Sequence, residues 1–293
     1  MIRESFSRRA FLAVNIALLV GLALMCLLPI VHVLAVSFSS SAAAGGGLVG
    51  LLPVGFTLSS YNYAFSRPQF LRSIFISIQR ILLGGGVNML LTILTAYPLS
   101  KEVSVLRQRT AYSWFFVLTM LISGGLIPSY MIVKQAGLFD SLWALVLPGA
   151  LPVFNTILLL NFFRQLPKEL DEAALVDGAS YWQILWRIYV PLSLPALATL
   201  TLFSLVAHWN SWFDGLLYMN NPKNYPLSSY LQTVIVGRDT LNAAFSDFKE
   251  MSRISDRTFK AAQIFVGMLP ILMVYPFLQK YFVKGLTLGG VKG

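Results

Sequence analysis

Charged and hydrogen-bonding side chains are rare inside the long apolar runs of this sequence, and they are densest in the stretch 208–214. Placing a charge at the centre of a bilayer costs about 2.5–3.5 kcal/mol on insertion scales, so such residues are candidates for function. On a helix, His208, Ser211 and Asp214 would share one side. Polar groups that alternate with aromatic rings suit sugar hydroxyls and ring faces, although they could equally bond neighbouring helices or lie at the membrane interface. The candidates for lining a substrate pathway are His208, Trp209, Asn210, Trp212 and Asp214.

Arg80 is a second charged side chain inside an apolar run. Two structural explanations are open beside a functional one. The guanidinium either pairs with another group in the protein or extends along the helix towards the membrane surface.

Sequence signatures of catalysis are missing. His32 and His208 are the only histidines in the sequence, and neither the H-E-x-x-H nor the G-x-S-x-G pattern occurs. The glycine-rich end 285–293 lacks the Gly-Lys pair of a phosphate-binding loop and a helix to follow it. We therefore predict no catalytic residue, no metal site and no cofactor in this chain.

The charged segment 164–191 separates two apolar runs and has the signals of a helical hairpin. Pro167 suits the first position of a helix, and Glu169 complements the positive N-terminal end of the helix dipole. Gly178 suits the left-handed residue that ends such a helix. These signals predict a short first helix between Pro167 and Gly178.

A second helix of the same hairpin is predicted from Ser180 to Pro191. Ser180 and Gln183 have the spacing of a capping box, and Pro191 closes the helix and opens the next apolar run. A short helix with small residues on one face can enter a groove of a partner protein. The alternative is an amphipathic connector that lies on the membrane surface.

Composition assigns the chain to the integral membrane proteins. Of 293 residues, 56% are hydrophobic and only 12% are charged, about half of what soluble domains carry. The net charge of +10 would suggest nucleic acid in a soluble protein, but basic residues beside membrane spans fix topology instead. We expect no nucleic-acid binding. The single cysteine, Cys26, can form no internal disulfide.

The apolar runs predict an all-α, polytopic fold of six membrane-spanning helices, because a hydrocarbon core about 30 Å thick takes roughly 20 helical residues. The first run is too long for a cleavable signal peptide, although Ala42–Ala44 could mimic a cleavage site. We expect an uncleaved first span and a single domain over 1–293. The predicted spans lie near 11–36, 73–99, 112–133, 141–163, 192–219 and 261–283.

The distribution of Lys and Arg gives the orientation. Basic residues are concentrated in the N-terminus, in every second short loop and in the C-terminus. Both termini and the hairpin 164–191 are therefore predicted to be cytoplasmic, and the polar segment 220–260 is predicted to be external.

The hairpin also carries a family resemblance. Its pattern Glu172-Ala173-Ala174-x-x-x-Gly178, then nine residues and Ile188-x-Val190-Pro191, resembles the E-A-A motif of ABC importer permeases, with Val190 where Leu is usual. The resemblance implies a coupling helix seated in a cleft of a cytoplasmic ATPase. The implied docking residues are Glu172, Ala173, Ala174, Asp177 and Gly178.

Three further segments are similar to the complex-oligosaccharide branch of the maltose-type permeases, which includes an alginate importer: 124–130, 137–143 and 279–285. The resemblance implies an ATPase dimer that binds ATP and Mg²⁺, a second permease subunit of a different sequence, an extracytoplasmic sugar-binding protein that contacts 220–260, and a location in the bacterial inner membrane. The glycine-rich tail either packs near the ATPase or is a mobile end.

Proteins of other classes explain the sequence less well. An ion-coupled secondary transporter of small solutes would normally show repeated halves and several intramembrane carboxylates, whereas Asp214 is the only carboxylate inside a predicted span. A membrane enzyme would need a catalytic constellation. An assembly scaffold would share every feature except the cluster 208–214.

Overall fold

The computed structural model describes residues 6–236 and 256–290, and the regular structure of these residues is helical throughout. This confirms the all-α prediction. Single 3₁₀ turns lie at Leu147–Gly149 and Pro222–Asn224, and a π-helical turn lies at Leu185–Tyr189. The helices are α1 (Phe6–Ser37), α2 (Ser41–Gly45), α3 (Ser59–Ser66), α4 (Pro68–Ser100), α5 (Arg109–Leu121), α6 (Leu126–Gln135), α7 (Leu142–Val146), α8 (Val153–Phe163), α9 (Glu169–Val176), α10 (Tyr181–Ile184), α11 (Val190–Leu192), α12 (Leu194–Asn210), α13 (Phe213–Tyr218), α14 (Leu227–Val236) and α15 (Asp256–Gly290).

Three described helical segments are long and apolar enough to cross a membrane by themselves: Ser7–Ser37, Pro68–Ser100 and Asp256–Val274. Three bent helix pairs also qualify, which gives up to six spans if each pair is one crossing. The bends measure 111° between α5 and α6, 51° between Leu142–Gly149 and α8, and 82° between Tyr181–Leu192 and α12.

The predicted spans 112–133, 141–163 and 192–219 are therefore each broken into shorter helices. Gly125 interrupts the first, because its φ of 85° lies outside the helical region. Pro148 and Pro152 lie at the second break, where their missing N–H groups cannot join a helical ladder. The third contains a further break at Ser211, which has extended backbone after the end of α12.

The chain forms two compact units. Unit 1 comprises Met1–Phe70 and Thr233–Leu269, and a small core in it contains Ala35, Ala44 and Val49. Residues 237–255, the middle of the predicted external segment, and residues 291–293 of the predicted tail lie outside the described residues.

Unit 2 comprises Leu71–Gln232 and Pro270–Gly293. Its main core joins the end of α4 to α8, the hairpin and α12, so the hairpin is packed into the unit and is not a loose connector. The fully buried members of this core include Ala96, Leu159, Phe163, Ile184, Leu185 and Leu200.

Candidate functional site

The first hairpin helix, α9, begins at Glu169 and carries three acidic residues in its first turn, where they complement the helix dipole. Pro167 lies before the N-cap Lys168 and not at the first helical position, so that prediction is wrong by two residues. The Pro167 carbonyl instead accepts a hydrogen bond from the Leu170 N–H at 3.3 Å. Gly178 has a φ of 77°, which confirms the predicted left-handed residue after α9.

The second hairpin helix, α10, begins with the predicted capping box. The Ser180 hydroxyl accepts a hydrogen bond from the Gln183 N–H at 3.3 Å, and the Gln183 side-chain oxygen accepts one from the Ser180 N–H at 2.8 Å. Pro191 lies inside α11, and the chain bends at Ser193, two residues further on.

The predicted docking residues form most of an exposed edge of the hairpin. Glu172, Ala173, Asp177 and Gly178 are exposed, whereas Ala174 packs against the main core of unit 2. Sequence reasoning missed Val176, which is 87% exposed and is the most accessible large apolar residue in the hairpin. Its signal was an apolar residue directly before the helix-ending Asp177-Gly178.

A shallow cavity of about 310 Å³ adjoins this edge. It lies between the end of α9 and the second helix, and Arg187 provides a cation on its rim. Small residues, one exposed apolar side chain and carboxylates beside a concavity suit insertion into a complementary protein surface. The lining residues are Asp177, Gly178, Ala179, Gln183, Ile184, Arg187 and Ile188.

Two ion pairs connect the hairpin to the segment that follows α4. Lys101 pairs with Asp171 at 2.5 Å, and Glu102 pairs with Lys168. Burial lowers the pKa of Lys101, and the hydrogen bond with Asp171 opposes that shift. Glu102 and Lys168 are exposed, and their mutual hydrogen bond lowers the pKa of Glu102 and raises that of Lys168.

The predicted pathway residue Asp214 is bound within the protein. Arg80 donates to both carboxylate oxygens of Asp214, at 3.2 Å to Oδ1, and also to the Ser211 carbonyl at 3.1 Å. The Ser211 hydroxyl donates to Asp214 Oδ1 at 2.8 Å. Arg80 is only 2% exposed, so it pairs and does not extend to the membrane surface. The ion pair thus holds the break between α12 and α13 against α4.

His208 is also bound to α4. Its Nε2 lies 2.6 Å from the Asn88 side-chain oxygen, and the Asn88 amide donates to the carbonyls of Gly149 at 2.8 Å and Ala150 at 3.2 Å. Those carbonyls lie at the break between α7 and α8, where helical partners are lost. Asn88 was missed by sequence reasoning, although it is a lone amide in an apolar run.

The remaining pathway candidates face other surroundings. Trp209 and Asn210 line a mainly apolar cavity of about 540 Å³ between α4, α12 and the second half of α15. Trp212 is exposed and packs edge-on against Phe213 with ring centroids 5.6 Å apart. Of the five candidates, Trp209 and Asn210 thus line one cavity, while His208 and Asp214 are bound to side chains of α4.

The far end of α4 carries another concavity in unit 2. Arg72, Phe75 and Gln79 line a cavity of about 410 Å³ together with Asp140 and Asn224. Asp140 Oδ1 accepts the N–H groups of Asn220 and Asn221 at 2.8 and 3.0 Å, which fixes the start of the polar segment. Among residues 6–236 and 256–290, no three His, Cys, Asp or Glu side chains are placed to share a metal ion.

Comparison with known proteins gives consistent matches. The family profile described as binding-protein-dependent transport system inner membrane component matches residues 89–288. Protein LplC of Bacillus subtilis (strain 168) is 42% identical over 97% of this chain and 96% of its own length. The polygalacturonan/rhamnogalacturonan transport system permease protein YtcP of the same strain is 40% identical over 92% of this chain and 94% of its own length.

A solved structure also matches over nearly the whole chain. One chain of a bacterial ABC transporter involved in the import of the acidic polysaccharide alginate superposes with a TM-score of 0.87 at 32% identity. The match covers 96% of this chain and 100% of that one.

Proposed function

This chain belongs to the family of binding-protein-dependent transport system inner membrane components, and we propose that it is the permease of an ABC importer of acidic oligosaccharides. Two of the most similar proteins support the substrate class. YtcP is named for polygalacturonan and rhamnogalacturonan, and the matched structure belongs to an importer of alginate. The importer would take up its substrate across the bacterial inner membrane.

The exposed, capped hairpin α9–α10 is the observation that carries the proposal. Glu172, Ala173, Asp177 and Gly178 form an accessible edge beside a cavity, while the rest of the hairpin packs into the core. Such an edge suits a cleft on a cytoplasmic ATPase dimer, which would bind the ATP and Mg²⁺ of the reaction. The chain itself acts as a non-enzymatic transport component.

The assembly would contain two further kinds of subunit. A second permease, of a different sequence, would complete the translocation path, because one chain of this size encloses a path poorly. An extracytoplasmic binding protein would deliver the oligosaccharide to the side of the external segment 220–260. Both termini and the hairpin 164–191 would face the cytoplasm, as the Lys and Arg distribution predicts.

The cavity at the start of α4 supports the acidic character of the substrate. Arg72 lies about 40 Å along the chain of α4 from Lys101, so the two residues face opposite membrane surfaces if α4 spans the bilayer. The Arg72 guanidinium, which also donates to Asn224 Oδ1 at 3.3 Å, has the Phe75 ring and the Gln79 amide beside it, and these groups suit the carboxylate and ring face of a uronic acid. The Asp140 carboxylate lines the same cavity, but one of its oxygens is taken up by two backbone N–H groups.

Transport in proteoliposomes tests the proposal. The purified complex with its ATPase and binding protein should import oligouronates when ATP is present inside the vesicle, and ionophores that collapse ion gradients should not stop import. Uptake that needs an ion gradient and no ATPase would establish a secondary transporter instead.

Two variants assign roles within the same assay. Glu172→Lys should abolish ATP-coupled uptake while leaving membrane insertion intact, because it reverses a charge on the exposed edge. Arg72→Gln should reduce the stimulation of ATPase activity by oligouronates more than that by neutral oligosaccharides. Normal uptake by the Glu172→Lys variant would contradict the docking assignment.

A further inference from the structure

Lys101 lies one residue after α4 and is bound by two elements of the hairpin. Its Nζ donates to Asp171 Oδ2 of α9 at 2.5 Å and to the Tyr189 hydroxyl of the π-helical turn at 3.0 Å. The Tyr189 hydroxyl donates in turn to the same Asp171 oxygen at 2.9 Å. Three side chains, from the residue after α4, from α9 and from the π-helical turn, thus close a triangle of hydrogen bonds.

Aromatic rings shield this triangle from water. The Lys101 ammonium lies 4.3 Å from the ring centroid of Tyr97 and 4.1 Å from that of Tyr189, within the range of cation–π attraction. The two tyrosine rings pack edge-on at 5.0 Å, and Phe163 packs against Tyr189 at 5.2 Å. Lys101 is only 8% exposed as a result.

Basic side chains also hold carbonyls at the end of α4 and just beyond it. Arg164 donates to the Leu99 carbonyl at 3.1 Å, and Arg109 donates to the Lys101 carbonyl at 2.9 Å. Cations at the C-terminal end of a helix complement its dipole and satisfy its unpaired carbonyls. The end of α4 is therefore fixed both to the start of α5 and to the residue that follows α8.

We propose that Lys101, Asp171 and Tyr189 form a buried latch that makes the hairpin and α4 move as one body, with Lys101 as a positioning residue. The inference rests on the proposed function, because the hairpin moves only if an ATPase moves it. Further along α4, Arg80 donates to the Ser211 carbonyl and Asn88 donates to the Gly149 carbonyl, so α4 also holds these two helix breaks. The latch thereby connects the hairpin to both breaks.

The chain supplies a matched control for the latch. The Glu102–Lys168 pair joins the same two segments one residue further on, but its side chains are 59% and 74% exposed. Exposed pairs contribute little because water and salt screen them, whereas removing one partner of a buried pair leaves a charge without compensation. The Lys101–Asp171 pair, with side chains 8% and 20% exposed, is much more buried and joins the same segment to the start of the hairpin.

The test compares Lys101→Met with Glu102→Gln in the reconstituted complex. We expect Lys101→Met to retain the ATPase on purification and to keep basal ATPase activity, but to lose about tenfold in the stimulation by loaded binding protein. Glu102→Gln should stay within about twofold of the unaltered complex. Should Lys101→Met fail to accumulate, Tyr189→Phe, which removes only a hydroxyl, serves in its place with the same expectation.

Spin-label distances separate a positioning role from general damage. Labels at exposed Leu90 on α4 and exposed Glu169 on α9, in a Cys26→Ser background, should keep one distance with and without ATP in the unaltered latch. In Lys101→Met the distance between the labels should change on ATP binding. The exchanged pair Lys101→Asp/Asp171→Lys should reduce that change and restore part of the ATPase stimulation by loaded binding protein.

The outcomes distinguish two failures. If the unaltered complex shows no stimulation by loaded binding protein, the proposed function is wrong. If it shows stimulation, and Lys101→Met or Tyr189→Phe matches Glu102→Gln in activity with a constant label distance, the latch is wrong.

Discussion

Among individual residues, the ion pair of Arg80 and Asp214 has the clearest structural role. It fixes the break between α12 and α13 within unit 2. Both carboxylate oxygens accept from the guanidinium, and Ser211 adds its hydroxyl and carbonyl. A buried pair with this many hydrogen bonds is expensive to split, but it can often be replaced as a whole by apolar residues.

Arg80→Met should therefore destabilise the protein by about 3 kcal/mol, since it leaves the Asp214 carboxylate without its cation. The double variant Arg80→Met/Asp214→Leu should recover most of that loss. The free energy of unfolding, followed by thermal unfolding in detergent, measures both. Arg72→Met, on the exposed side of the same helix, is the matched control and should change stability by less than about 0.5 kcal/mol.

Transport by the double variant then decides the role of Asp214. A stable double variant that imports at normal rates would leave Asp214 a purely structural residue. A stable variant without import would place Asp214 on the substrate pathway, as the sequence first suggested.

Local signals could be predicted at this scale and distant partners could not. The capping box of Ser180 and Gln183 spans three residues, so its geometry follows from spacing alone. Arg80 and Asp214 are 134 residues apart. A single sequence does not show which distant helices pack together. The Arg80–Asp214 ion pair and the role of Asn88 could therefore be recognised only from the structure.

Between helices, the close packing of α4 against α12 depends on the absence of a side chain at Gly84. A Cβ atom at Gly84 would lie 2.5–2.9 Å from atoms of the His208 ring, whereas a Cβ at Gly86, in the same helix, meets nothing within 4 Å. A shift of the imidazole away from such a Cβ would disturb its 2.6 Å contact with the Asn88 side-chain oxygen.

Gly84→Ala should consequently destabilise the protein by about 1–3 kcal/mol through overpacking. Gly86→Ala should be neutral or stabilising by up to about 1 kcal/mol, because alanine favours a helix more than glycine does. Thermal unfolding of the two variants side by side provides the measurement. Equal melting temperatures would show that the His208 ring is free to move.

The end of α9 requires glycine because of the backbone conformation at residue 178 and not because a side chain would lack space there. Gly178 has a φ of 77°, and a Cβ there meets nothing within 4 Å. Gly178→Ala should thus cost about 1–2 kcal/mol by strain alone. Gly178→Asn should cost less, because asparagine tolerates the left-handed region.

Substrate-stimulated ATPase activity should follow the same order, with glycine highest, asparagine next and alanine lowest. An alanine variant as active as the native chain would show that the hairpin edge adapts to another turn.

The helix breaks mark the limit of prediction at this scale. Apolar composition predicts where the spans lie, since lipid selects for it. The structure bends beside Gly125, Pro148 and Pro152, and the sequence does not give the size of these bends. Whether such a residue kinks or ends a helix depends on which groups donate hydrogen bonds to the freed carbonyls. The Asn88 amide does so for the Gly149 carbonyl.

Apolar surface dominates the whole molecule. No residue in the most apolar window of α1 is buried within the chain, and α5 has no buried residue either. Lipid or neighbouring subunits must cover these helices, because such surface is not stable in water.

The predicted orientation can be tested on intact cells. With Cys26→Ser as background, a cysteine at exposed Lys223 should react with a membrane-impermeant thiol reagent added outside, and a cysteine at exposed Glu169 should react only after lysis. The reverse pattern would invert the topology and place the hairpin edge on the wrong side for an ATPase.

The π-helical turn Leu185–Tyr189 gives the hairpin one place where a change in length does little harm. A π turn accommodates one residue more than an α turn over nearly the same rotation, so the helical faces on either side of it keep their relative orientation. Deleting a single residue here would restore regular helix and would leave the capped end at Ser180 in nearly the same phase relative to Val190. A deletion within the regular helix α12 would instead rotate its two sides by about 100° relative to each other. Single-residue deletions should therefore be tolerated in this turn far more readily than in α12.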